Sequence, residues 1–103
     1  MSTDFIENLF SSRIRVRVLR ALIKYREVNI TKLSRDLGVN YKVIEYHIEA
    51  LKRLGIAEEK RFGRIRIIRL SENDPRVLAI ERFFTELEQA ITDQSDSQNR
   101  ESS

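Results

Sequence analysis

The sequence predicts a mainly α-helical chain with one small β-hairpin, an α+β fold in a single domain. Three observations predict it. Apolar residues recur at helical spacing in separate stretches before residue 55. A strand–turn–strand pattern fills residues 56–70. A further stripe, spaced by three and four, begins at Val77. At 103 residues the chain has the size of one domain; 41% hydrophobic residues supply a modest core and 34% charged residues cover it.

Phe5, Ile6, Leu9 and Phe10 stand at helical spacing in the first ten residues. Ser11 or Ser12 then caps a longer helix to about Arg26. On its wheel Arg13, Arg17, Arg20 and Lys24 form a basic stripe opposite Ile14, Val18, Leu19, Leu22 and Ile23. That stripe suits a solvated face or a phosphate contact. Val28-Asn29-Ile30 alternates as a short strand. Thr31 is of the type that caps a short helix through Leu37, and Gly38 supplies the left-handed residue that ends it. Asn40 caps a third helix from about Tyr41 to Leu54. Two helices joined by so short a turn meet steeply, as in a helix-turn-helix. Ile44, Ile48 and Leu51 face the core of that third helix, while Lys42, Glu45, Tyr46, Glu49 and Arg53 lie on the opposite arc.

Residues 56–70 read as two strands around a turn at Phe62-Gly63-Arg64. Their register is open, because Ile65 and Ile67 share one face and Ile68 and Leu70 the other. A bulge, or cover on both faces, would accommodate this. Arg61, Arg64 and Arg66 stand at or near the tip, a composition suited to phosphate or a minor groove. Asn73-Asp74-Pro75 opens a last helix with a cap and a proline at its first position. Val77, Ile80, Phe84, Leu87 and Ile91 form its stripe; two heptads do not hold an isolated helix, so it either packs on its own domain or forms a dimer seam, and the seam is favoured because the preceding elements can already close a small core. The domain is expected over residues 1–92, with the last helix at 75–92. Residues 93–103 hold no apolar side chain and read as a disordered tail.

Charge is unevenly distributed. Residues 11–70 hold 16 Lys plus Arg against 6 Asp plus Glu, whereas residues 71–103 hold 3 against 8. A basic middle is the footprint of a nucleic-acid binder. With no cysteine and only His47, the chain lacks the ligands of a transition-metal site, so no metal or cofactor is expected. No glycine-rich phosphate loop or nucleophile–base set points to an enzyme. No apolar run approaches the roughly 20 residues of a membrane span, and no secretion signal is apparent, so the expected compartment is the cytoplasm.

The order helix, strand, helix, turn, helix, hairpin, helix is that of a winged helix-turn-helix. In "SSRIRVRVLRALIKY", "ITKLSRDLGVNYKVIEYHIEALKRLGIAEE" and "GRIRIIRL" the chain resembles the small ArsR-like winged-helix transcriptional regulators of bacteria and archaea. The second stretch is the most specific, with Leu33, Leu37, Gly38 and the series Ile44, His47-Ile48, Leu51, Gly55-Ile56. The resemblance implies a homodimer on a pseudo-palindromic double-stranded DNA site. The recognition helix would enter the major groove, and the wing, residues 58–69, would meet the minor groove or backbone. Carried onto this chain, it implies DNA contacts from Asn40, Tyr41, Lys42, Glu45 and Tyr46, with His47 at the edge and Thr31 and Lys32 on phosphate. Glu45 either accepts from cytosine or pairs with Lys42; Glu49 either reads a base or pairs with Arg53. His47 either packs or touches phosphate. A sequence-tolerant chromosomal protein and a winged-helix protein-interaction module are the competing functions. Neither operator nor effector is legible.

Overall fold

The computed structural model describes residues 2–102, with side chains for residues 4–95. Its elements run α1 (Ser2–Leu9), α2 (Arg13–Tyr25), β1 (Glu27–Asn29), α3 (Ile30–Leu37), α4 (Tyr41–Arg53), β2 (Ala57–Phe62), β3 (Ile65–Leu70) and α5 (Pro75–Ser102). This is a winged helix-turn-helix, mostly helical, with one antiparallel sheet in the order β1-β3-β2.

Local chemistry sets the boundaries. Ser12 caps α2 by accepting from the Arg15 amide at 3.0 Å. The cap of α3 is Asn29 rather than Thr31: its Oδ1 accepts from the amides of Thr31, at 2.8 Å, and Lys32, at 3.5 Å. The strand therefore ends one residue, and the helix starts two residues, earlier than expected. Gly38, at φ +65°, closes α3, and Asn40 caps α4 by accepting from the Lys42 amide at 2.8 Å. At the far end of α4, Arg76 donates to the carbonyls of Leu54 (3.0 Å) and Gly55 (3.4 Å) while Asp74 holds its guanidinium at 2.8 Å. A cation thus serves carbonyls that the helix leaves unpaired.

Val18, Leu19 and Leu22 of α2, Ile30 and Leu33 of α3, Ile44, Ile48 and Leu51 of α4, and Ile68 of β3 form the centre of the core. The sheet resolves the open register without a bulge: β2 and β3 pair continuously from Ala57↔Leu70 to Phe62↔Ile65. Ile68 and Leu70 face inward, while Ile65 is exposed and Ile67 half-buried. Arg66 lies two and four residues from that inward pair, so it shares their face. β1 adds to the other edge of β3, with Val28 opposite Ile68.

The stripe of α5 is divided. Val77, Ile80 and Phe84 are buried in this chain's own core, whereas Leu87 and Ile91 are 44% and 54% exposed. Phe10, after α1, packs against Phe83 and Phe84, with ring centroids 6.2 and 6.4 Å away. The expected tail is corrected in its backbone: α5 continues to Ser102. No Gly or Pro follows Pro75, so nothing in the sequence breaks the helix. The side chains of residues 96–103 lie outside the described residues. No helix among the described residues is long and apolar enough to cross a membrane.

Candidate nucleic-acid interface

Helix α4 presents three faces. Ile44, Ile48 and Leu51 are buried in the core. Tyr41, Glu45 and Glu49, at successive intervals of four, face the wing. Lys42, Tyr46 and Arg53 are exposed and fall within about 40° of one another on the wheel. Tyr46 is 61% exposed, with its ring centroid 5.1 Å from that of His47 and 5.9 Å from the Arg15 guanidinium. Asn40, Thr31 and Lys32, at the starts of α4 and α3, are exposed as well.

The wing-facing side is an ion network centred on Arg66. Its Nε donates to Glu59 Oε2 at 2.7 Å and its Nη2 to Glu59 Oε1 at 3.0 Å. Nη2 also donates to Glu49 Oε1 at 3.3 Å, and Nη1 donates to Tyr41 Oη at 3.2 Å and to Glu45 Oε2. Lys52 bridges Glu59 at 2.9 Å and Glu49 at 3.2 Å, and Arg61 adds a bond to Glu59 at 2.8 Å. Three carboxylates thereby meet three cations. The Arg66 hydrogen bonds, with help from Lys52 and Arg61, hold the Glu59 carboxyl well below the usual carboxylate range. The pairs expected within α4, Lys42 with Glu45 and Arg53 with Glu49, are replaced by bonds to Arg66 of β3 and, for Glu49, by a different pair within α4, with Lys52.

The candidate DNA contacts accordingly separate. Thr31, Lys32, Asn40, Lys42, Tyr46, Arg61 and Arg64 are exposed. Tyr41 and Glu45 are half-buried against the wing. Arg66 and His47 are corrected: both are turned inward, Arg66 because it shares the face of Ile68 and Leu70. The Arg66 side chain is 12% exposed, and His47 is 7% exposed. The basic stripe of α2 is also partly engaged, since Arg17 donates to the Leu37 carbonyl at 3.0 Å and Arg20 pairs with Glu88 at 2.9 Å.

His47 Nδ1 accepts from Arg15 Nε at 3.2 Å, and Arg15 Nη1 donates to the Asn8 carbonyl at 2.6 Å. Arg15 is 4% exposed and links α1 to α4. Its burial was legible in its spacing of three, four and seven from Val18, Leu19 and Leu22. Burial, then the Arg15 charge, lowers the His47 pKa below 6.5. The unfolded chain therefore binds this proton first. The His47 contribution is fully present above pH 6.5 and shrinks as pH falls below it. Chemical denaturation from pH 7.5 to 5.5 should show wild-type stability falling by up to about 1.4 kcal/mol per pH unit from this one proton. His47→Gln, which keeps an acceptor, should flatten that slope; an unchanged slope would reject the assignment.

Among the described residues no group of three or more His, Cys, Asp or Glu side chains is arranged to hold a metal ion. Residues 12–59 match the model of the bacterial regulatory protein, arsR family. The fold is similar to the AntR antimony-specific transcriptional repressor, at 21% identity over 89% of this chain and 80% of that one, TM-score 0.73. It is similar to HlyU from Vibrio cholerae, at 19% identity over 84% and 89% of the two chains, TM-score 0.72. A possible transcriptional regulator for arsenical resistance is 25% identical over 87% of this chain and 95% of its own, TM-score 0.62. Among curated proteins no sequence matches.

Proposed function

We propose that this chain, a winged helix-turn-helix DNA-binding transcriptional regulator of the ArsR-like group, reads a specific double-stranded sequence as a homodimer. The observation that carries this is the exposed arc of α4, Lys42-Tyr46-Arg53, with the capped starts of α3 and α4 beside it. In this reading the arc enters the major groove. Lys42 meets a base edge or phosphate, and Tyr46 lies against sugar or phosphate. Thr31, Lys32 and Asn40 hold the backbone. Arg61 and Arg64, in and after β2, meet the flanking backbone or minor groove. Each half-site receives one α4, with the two helices about 34 Å apart.

The homodimer rests on the apolar strip left open by the core. Ile6, Phe83, Leu87 and Ile91 are each 44–55% exposed, with Phe10 beside them. Such a surface calls for a partner, and a second copy of α5 offers the same strip.

Selection of duplexes from a random library at about 0.15 M salt tests the proposal. A palindromic consensus is the expected result. Binding without consensus would select a sequence-tolerant chromosomal protein, and no binding a protein-interaction module. Arg64→Ala should weaken specific and random duplexes alike and lower the salt slope of binding by about one. A loss confined to one sequence would place Arg64 on a base instead.

A further inference from the structure

We propose that Arg66 is a positioning residue for base recognition: from the wing strand it aims the Glu45 carboxylate of α4 at a base amino group without itself touching DNA. The inference rests on the reading of α4 as the base-reading helix. A guanidinium carries five N–H groups in a fixed fork. All five of Arg66 have acceptors: two bonds to Glu59 and one each to Tyr41, Glu45 and Glu49. No donor remains for a phosphate. The side chain is also too enclosed to reach one, at 12% exposure.

What the network leaves open is on Glu45. Arg66 takes Oε2, and among the described residues Oε1 has no partner, while the side chain is 37% exposed. An ionised carboxylate only accepts hydrogen bonds. With one oxygen fixed by the fork, the other is held in one direction. Its complement in a major groove is an exocyclic amino group, as on cytosine N4. The same arrangement answers a charge problem. Glu45 and Glu49 would repel a phosphate backbone, and Arg66, with Lys52 on Glu49, offsets both charges where they stand. Glu59 anchors the guanidinium from below and ties recognition helix and wing into one unit.

The discriminating variant is Arg66→Lys, which keeps the charge and loses the fork. On duplexes drawn from the selected consensus, discrimination at the base pair that Glu45 reads should fall about tenfold. The salt slope should stay unchanged, because no phosphate contact is lost. In a Glu45→Ala background the same substitution should cause no further loss at that pair, since both changes act through one carboxylate. Retained discrimination, a uniform loss with a slope lowered by about one, or additive losses would each overturn the proposal. The two layers separate cleanly. If Glu45→Ala itself leaves the consensus unchanged, base reading by α4 at that position fails, and the positioning role falls with it. If Glu45→Ala shifts the consensus and Arg66→Lys does not, only the positioning role fails. Should Arg66→Lys not fold, the wild-type protein still decides. The Arg66 Nε–H signal in nitrogen-15 NMR should stay slow to exchange and unshifted between free protein and specific complex; its transfer to a DNA-contact shift would overturn the proposal.

Discussion

Glutamate at both Leu87 and Ile91 is expected to convert the proposed dimer to a monomer and to lower affinity for a two-half-site duplex by about 10²–10⁴, the gain that a linked second site supplies. Both positions are exposed within the chain, so the fold should survive, with an unchanged helical spectrum. Phe84→Glu is not an equivalent test. Phe84 is buried against Phe10 and Phe83 of its own chain, and a carboxylate there would damage the core before it reached any partner. Sedimentation velocity and binding to one-half-site and two-half-site duplexes read the outcome. An unchanged dimer would move the seam elsewhere. Unchanged binding with a lost dimer would show that one copy suffices.

Glu59→Ala is expected to destabilise the chain by about 3 kcal/mol, because it leaves Arg66 enclosed without its main partner. For a domain of this size that lowers the thermal midpoint by about 12–24 °C. A pH arm checks the cause. The folded-state pKa of Glu59 is depressed, so its contribution is present above its usual value of 4.5 and lost as pH falls below that. Wild-type stability should therefore decline below pH 4.5 more steeply than that of Glu59→Gln. Equal slopes would mean that the carboxylate is not held in its charged form by the network.

Much of the fold was legible in residues that act locally. Asn40 and Gly38 mark the turn between α3 and α4, and Ile44, Ile48 and Leu51 mark which side of α4 is buried; each depends on neighbours a few positions away. The shift of the α3 cap from Thr31 to Asn29 is a contest between two capping residues that composition alone does not decide. The site was harder to read, for a physical reason. Apolar residues on both faces of "IRIIRL" conceal which side of β3 faces in, and that choice carries Arg66 with it. Once Ile68 and Leu70 turn inward, Arg66 moves from wing contact to the partner of Glu45. Glu59 follows by strand alternation from Ala57. Periodicity along α5 likewise finds an apolar stripe without saying whether the chain's own core or another copy covers it. The structure divides that stripe after Phe84.

The Arg76 clamp between the end of α4 and the start of α5 has a mechanical consequence. It joins the reading helix to the helix whose exposed half would pair with a second copy, through carbonyls that cannot slide along the chain. In a dimer paired through α5, the clamp acts as a ruler. The separation of the two α4 helices would then follow from the seating of α5 on its own core through Val77, Ile80 and Phe84, with Arg76 holding the end of α4 to the start of α5, so the proposed half-site spacing would be set by rigid packing and not by a flexible tether.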